Sequence, residues 1–510
     1  MFSSAEAVAK KAMAAALTLV VASGPGVLPA AAATPSPVKH VVVIFQENVS
    51  FDHYFATYPK AKNSAGEPAF HALSNTPSVN GLTAGLLTHN PNSHQPFRLS
   101  RAQNYTCDQD HDYKDEQESF DRGLMDKFVE FTGAGGPGCP DYGFGKALVM
   151  GYYDGNTVTG LWNYAQHYSM SDNSFDTEFG PSTVGAINLI SGQTAGVNKT
   201  KGTPIKDHQI IDQVVIGDPD PLYDDCGSFD QVGLSGKNIG DLLNAKNLTW
   251  GWFQGGFKPS QPASGNAPAV CGNKTPNLSG ALQTDYSAHH EPFEYYPQTA
   301  NPHHLPPSSV AMIGQTDQAN HQYDLTDFWN AVNNGNMPAV SFLKAKKAQD
   351  GHAGYSSPLD EQQFLVNTLN TLQQRPEWAS SVVIIMWDDS DGWYDHQMGP
   401  IVNQSVTSQD ALSAAGHCGT VNTGGIPARC GYGVRLPMLV ISPFAKSNFV
   451  DGTTTDHTSA IRFIEDNWGL GRIGGHSFDA IAGPLTNMLD FRQPRTDILI
   501  LDPDTGQPVF

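Results

Sequence analysis

The sequence predicts an α/β fold with a largely parallel central sheet covered by helices on both faces. Short, uninterrupted apolar runs show no polar alternation, as strands buried on both sides do, and they alternate with helical segments. Acidic residues gather directly behind two of these runs, where open α/β sheets hold their ligands. With 510 residues, 39% hydrophobic and 10% aromatic, the chain has ample material for a packed core.

In chain order, residues 39–45 (KHVVVIF) read as a buried strand that ends at Gln46, Glu47 and Asn48. Residues 60–100, rich in Asn, Pro, Ser and Gly, read as a long surface excursion. Helical spacing starts at Tyr113, and residues 158–170 read as an amphipathic helix. Gly180, Pro181 and Ser182 open an apolar helix over 184–190, since Pro suits a first helical turn. Residues 193–235 read as loop with a short strand at 210–216, and 256–310 as a second polar excursion. Between and after them come a helix at 240–245, a strand at 249–253, a helix at 325–333 and a strand at 339–343. A helix at 362–373 precedes the apolar strand 382–386, and a strand at 434–441 precedes a helix at 456–468 with Thr454, Thr455 and Asp456 as caps. The excursions read as long loop insertions around one core.

Lys10 and Lys11 precede an apolar run over 12–22 and a small-residue tract over 30–33, the pattern of a secretory signal cleaved near Ala33. The expected organisation is therefore a signal peptide over 1–33 and a single catalytic domain over 34–510, secreted or periplasmic, with no integral membrane segment. Six cysteines without a C-x-x-C pair fit disulfides in an exported chain, and Cys418 with Cys430 is the pairing expected from proximity. A net charge of −21 argues against nucleic acid and anionic membranes as partners.

Behind residues 382–386 stand Asp388, Asp389, Asp391 and Asp395, four carboxylates that repel one another unless a cation sits among them. Glu47 and Asn48 end another strand in the same way. Such oxygen donors suit Mg²⁺, Ca²⁺ or Mn²⁺ over Zn²⁺. Ser182 at a helix start lies in a field that favours an anion, which suits a nucleophile that carries a phosphoryl group; an ordinary cap is the alternative. His111, His289, His290, His352 and His396 stand beside acids or glycines, and as a set could hold phosphate oxygens and protonate a leaving alcohol. His303, His304 and His457 are weaker candidates, and His457, at a capped helix start, reads as structural. The segment Gly217, Asp218, Pro219, Asp220, Pro221 imitates a phosphoaspartate motif but reads as a rigid turn.

Four ordered motifs resemble one known family. Glu47 to Asp52 (ENVSFD) resembles E-N-R-S-F-D, with Val49 in place of Arg; Gly180, Pro181 and Ser182 resemble the G-P-T/S nucleophile motif. Residues 387–396 (WDDSDGWYDH) resemble D-[DE]-x-D-G-x-x-D-H, and GVRLP with Ser442 and Pro443 resembles G-x-R-V-P…S-P. This is the bacterial phospholipase C and acid phosphatase family of the alkaline phosphatase-like superfamily. The resemblance implies a three-layer α/β/α sandwich and one divalent metal ion, held by Glu47, Asn48, Asp388 and Asp389 and bridged by Ser182. It also implies Ser182 as nucleophile through a phosphoserine, with His111, His289, His290 and His352 around the phosphate. Val49 would alter the hydrogen bonding around the ligands without removing one.

Within the family, a serine nucleophile, the segment DPDPLYDDC and the lack of room for C-terminal β domains point to the acid phosphatase branch. The expectation is a broad-specificity acid phosphatase acting on small phosphate monoesters. The alternative is a phospholipase C that splits phosphatidylcholine-type diesters, with Trp393, Tyr394, Tyr295 and Tyr296 available for a choline headgroup. A non-catalytic metal- or glycan-binding protein is a third reading.

Overall fold

A computed structural model describes residues 36–202, 208–228, 230–420 and 425–509, so the signal-peptide expectation lies outside the described residues. Nine strands build the main sheet: β1 (His40–Gln46), β2 (Ser169–Phe175), β3 (Trp250–Gln254), β4 (Gln322–Asp324), β5 (Val340–Lys344), β6 (Ser381–Trp387), β7 (Arg435–Ile441), β8 (Phe449–Asp451) and β9 (Thr455–Asp456). Their order is β4-β3-β5-β1-β6-β7-β2-β8, with β9 also on β2. All neighbours are parallel except β7, which runs against both β6 and β2.

Successive residues of a strand face opposite sides of the sheet, and here each side has its own core. Val42 and Ile44 of β1, with Val383 and Ile385 of β6, pack under Trp162, Phe328 and Leu365. Those three belong to helices Thr159–His167, Leu325–Asn333 and Pro358–Gln373. Val41, Val43 and Phe45, with Val382, Ile384 and Met386, pack under Ile187, Leu243 and Ile461. These come from helices Ser182–Ser191, Ile239–Ala245 and Thr458–Trp468. The result is three layers, with the central strands apolar on both faces as the sequence requires.

Some elements differ from expectation. The helix expected to reach residue 170 stops at His167, and Ser169–Phe175 is the inner strand β2. Its sequence, SMSDNSF, hides a strand because its hydroxyls answer distant backbone: Ser169 Oγ shares its one proton between the carbonyls of Lys446 and Met488, at 2.8 and 2.9 Å. The helix from Tyr113 ends at Phe120, where Asp121 and Arg122 adopt positive φ. The strand expected at 210–216 is a hairpin of Ile210–Ile211 and Val214–Val215. The last helix begins at Thr458; Thr455 and Asp456 form β9, and Asp456 still receives the Thr458 hydroxyl at 2.8 Å. Three disulfides tie the loops, Cys107–Cys139, Cys226–Cys271 and the expected Cys418–Cys430.

Candidate active site

The strands β5, β1 and β6 lie side by side and end level, Gln46 opposite Trp387. Their continuations therefore meet: Lys344 closes β5, Glu47 and Asn48 follow β1, and Asp388 and Asp389 follow β6. Ser182 arrives from the far side. It begins the helix Ser182–Ser191, whose Gly185 lies so close to the strand end that an added Cβ would stand 1.9 Å from the Asp388 carbonyl oxygen. Gly180 turns the chain into that helix at φ +124°, a conformation that glycine alone adopts readily.

Around Ser182 Oγ stand Asp389 Oδ2 at 2.9 Å, Glu47 Oε2 at 3.3 Å and Asn48 Oδ1 at 3.4 Å, all buried. One hydroxyl has one proton, so it cannot satisfy three acceptors. Three convergent oxygens with a hydroxyl among them are a hard donor set, and they fit a divalent cation. Asp388 is turned elsewhere. Its Oδ1 accepts from the amides of Asn48 and Asp389 at 3.3 and 3.0 Å, and its Oδ2 faces Lys344 Nζ at 3.2 Å. Burial pushes the Asp389 carboxyl up to about 7, partly offset by His111. Val49, the departure from the motif, packs in the core while its amide donates to the Asp389 carbonyl at 2.9 Å.

The four histidines named from the sequence surround this cluster in two pairs. His289 and His290 meet edge to face at 4.4 Å, and His111 and His352 at 6.3 Å. His290 Nδ1 lies 3.1 Å from Glu47 Oε1, and its side chain is 3% exposed. His111 and His289 retain 14% and 19% exposure, so these two are the ones that reach outward. Nδ1 of His111 faces the Gln109 carbonyl at 2.9 Å and Asp391 at 3.5 Å, which places a proton on that nitrogen. Burial opposes charge on His111, but Asp389, Asp391 and Asp108 outweigh it and hold its pKa well above the usual value. His289 is raised likewise, against burial, by Asp220 and Asp218. Burial lowers His290 despite Glu47, and lowers His352 despite Asp108. The environment thus pushes adjacent imidazoles in opposite directions, His111 and His289 toward the charged form and His290 and His352 away from it.

Other expectations meet corrections. At the helix N-terminus Asp218 Oδ1 accepts the Thr183 amide at 2.9 Å, and in the turn before it Glu116 Oε2 accepts that of Gly180 at 3.0 Å, so carboxylates already occupy two of the nearby amides. The segment set aside as a rigid turn therefore sits at the site. The aromatics considered for a choline headgroup are all 4% exposed or less. Trp393 stacks on His53, Tyr394 receives Asn90, and Tyr295 donates to the Pro219 carbonyl. His303 is exposed beside Asp225, and His304 is buried against Asp224, both apart from Ser182. His457 holds the Trp387 carbonyl at 2.8 Å, behind the strand end. His396 lies with Asp52, Asp395 and Arg435.

Sequence reasoning did not single out Lys344, Glu116 or Asp218 as site residues. A lysine closing a buried strand, SFLK, was the available signal for the first. Glu116 bonds Ser390 Oγ at 2.6 Å as well as Gly180, so it ties the loop after Asp389 to the turn before Ser182.

The chain is similar to known proteins in different degrees. The chain is 22% identical over 492 residues to a non-hemolytic phospholipase C of Pseudomonas aeruginosa, covering 92% of this chain and 60% of that one. It is 25% identical over 470 residues to a non-hemolytic phospholipase C of Burkholderia pseudomallei, covering 90% and 59%. The chain thus spans about 60% of the length of these two relatives. Phospholipase C A of Mycobacterium tuberculosis is 24% identical over 469 residues, covering 90% of this chain and 78% of that one. A solved protein of the alkaline phosphatase superfamily from Vibrio parahaemolyticus aligns with 86% of this chain and 71% of its own at a TM-score of 0.31 and 9% identity, too distant to add to the fold read from the strand order. The profile of the Phosphoesterase family matches residues 38–471, and the chain belongs to that family.

Proposed function

We propose that this protein is a metal-dependent phosphoric ester hydrolase of the phospholipase C type, with Ser182 as nucleophile. The observation that carries the reading is the Ser182 hydroxyl among oxygens of Glu47, Asn48 and Asp389 within 3.4 Å. A divalent ion held by these residues, with Asp388 beside them, would favour the alkoxide of Ser182 and neutralise phosphoryl charge. Ser182 Oγ attacks phosphorus, the P–O bond to the alcohol breaks, and His111 or His289 supplies the proton the alcohol needs. Water then attacks the phosphoserine, and the same imidazole takes its proton. His290 and His352, more buried, orient the site from behind.

The named relatives move the weight from the acid phosphatase, the first expectation, to phospholipase C. One observation favours a monoesterase as the second reading: the candidate choline-binding aromatics are committed to the core. The test is a panel of phosphomonoesters, phosphatidylcholine and other phosphodiesters, with wild type against Ser182→Ala. The variant should lose activity by about 10³-fold or more on the best substrate. Full activity in the variant would remove Ser182 from its role, and a monoester leading the panel would decide for the second reading.

A further inference from the structure

Lys344 has no place in the chemistry above, yet its ammonium is the one Lys or Arg charge paired with the ligand carboxylates among the described residues. Its side chain is 1% exposed. It pairs with Glu47 Oε1 and with Asp388 Oδ2, the latter at 3.2 Å, and its Nζ stands 5.3 Å from the centre of the Phe45 ring. The two oxygens of Glu47 are thereby divided. Oε2 faces Ser182, and Oε1 faces Lys344 and His290.

On the Lys344 side the surroundings resemble a metal site in their own right. Glu47, His290 and Asp350 each present a ligand atom, all within 4.8 Å of one another and all buried. Asp388 Oδ2 adds a further oxygen beside Lys344. Carboxylates and an imidazole gathered this way take a divalent cation readily. Two neighbouring ions about 4 Å apart, sharing a carboxylate, are a common solution in phosphoester chemistry. Here an ammonium already stands against that second set of ligands.

We infer that Lys344 is a built-in second cation: it fills the place of a second metal ion, so that the centre beside Ser182 takes one divalent ion and not two. By holding Glu47 Oε1 and Asp388 Oδ2, Lys344 also leaves Glu47 Oε2 for the Ser182 side, which makes it a positioning residue for the ligand set. This inference rests on the metal-dependent reading of the site.

The test counts ions on the full chain. Protein stripped with a chelator is titrated with Mn²⁺ by calorimetry, with bound metal measured by elemental analysis and electron paramagnetic resonance. Wild type should bind one Mn²⁺ with an uncoupled spectrum, and Lys344→Arg should do the same. Lys344→Gln should bind two, with the exchange-coupled spectrum of a dinuclear centre, and adding Asp350→Asn should return the count to one. A Lys344→Gln protein that folds and still binds one ion would overturn the inference. So would a second ion bound tightly by wild type, a measurement that needs no variant to fold. If wild type binds no ion, the metal-dependent reading itself fails, a result distinct from either.

Discussion

Two acid clusters lie a few residues apart in the same motifs, and the chain treats them differently. Asp52 and Asp395, from ENVSFD and DGWYDH, close around Arg435. Its guanidinium meets Asp395 at 3.1–3.2 Å and Asp52 at 3.2 Å, and also donates to the carbonyls of Asn80 and Asp172. The remaining oxygen of Asp52 takes the amide and ring nitrogen of His396 at 2.9 and 2.6 Å. Every charge there has an answer inside the protein. Around Ser182, by contrast, Lys344 answers one oxygen of Glu47 and one of Asp388, while three oxygens turn to a single hydroxyl. An acid cluster that the chain neutralises for itself is architecture; one left short of positive charge is a place for something else.

The sharpest way to break that comparison is to remove one charge from each cluster. Arg435→Met should strand two buried carboxylates and destabilise the fold by about 3–5 kcal/mol, read by urea denaturation with the disulfides intact. Asp389→Asn should do the reverse. In metal-free buffer its stability should stay within about 1 kcal/mol of wild type, because a carboxyl already pushed up to about 7 by burial loses little when made neutral. Its phosphoesterase activity should still fall by about 10³-fold or more, and a chelator should no longer shift its thermal midpoint. Equal stability losses in the two variants would erase the distinction.

How far these clusters could be read in advance depended on how local their physics is. The strands β1 and β6 were legible because both faces are apolar, and so were Glu47, Asn48, Asp388 and Asp389 as acids stranded behind them. Ser182 was legible from Gly180 and Pro181, which announce a helix start. Lys344 was not, since the Asp388 it faces lies 44 residues away and only the adjacency of β5, β1 and β6 brings them together. Asp218 was set aside because two prolines make a convincing turn, and a turn does not say what it leans on. The polar strand β2 is not legible, and its first two residues read as the end of the preceding helix, because Ser169 bonds to carbonyls from residues 446 and 488. Asp395 and His396 read with the other acids and histidines for the same reason: Arg435, which draws them into a separate cluster, belongs to another strand.

Placement from a distance distinguishes the two clusters again, and Gly185 measures it. The partners described for the Arg435 cluster come from outside the helix Ser182–Ser191, whereas that helix brings Ser182 to the ligands and lies backbone to backbone on Asp388 at Gly185. In Gly185→Ala the new methyl meets the Asp388 carbonyl, oxygen at 1.9 Å and carbon at 2.7 Å, and backbone on both sides resists. The helix must move outward. Stability should fall by about 1–3 kcal/mol, and kcat/KM by roughly 10²-fold, as expected when a nucleophile is displaced by about an ångström. Steady-state kinetics and a metal titration on the same preparation check this, with metal affinity weakened because Ser182 leaves the donor set. A variant with reduced stability but unchanged kinetics would show that the helix position does not set the reactive geometry.

The smallest effect concerns acid, and it belongs to the side of the molecule that carries the Arg435 cluster. His53 follows Asp52 in the short helix Phe51–Phe55 and is buried flat on Trp393, with Nδ1 donating to the Gly151 carbonyl at 2.8 Å. Burial lowers its pKa from 6.5 to about 3, so the folded protein keeps the ring neutral where the unfolded chain would protonate it. Its contribution is therefore complete above about pH 6.5 and drains away as pH falls toward 3. By pH 5 the loss should be about 2 kcal/mol, from roughly 1.4 kcal/mol per unit of separation. In His53→Asn the side-chain amide can still donate to Gly151, but no group titrates. That variant should be weaker than wild type at pH 7, through the lost stacking, yet lose about 2 kcal/mol less between pH 7 and pH 5 in urea denaturation. Parallel pH curves for the two proteins would move the acid sensitivity to other groups. A converging pair would mean that tolerance of acidic conditions is set beside the self-neutralised cluster, independently of the carboxylates around Ser182.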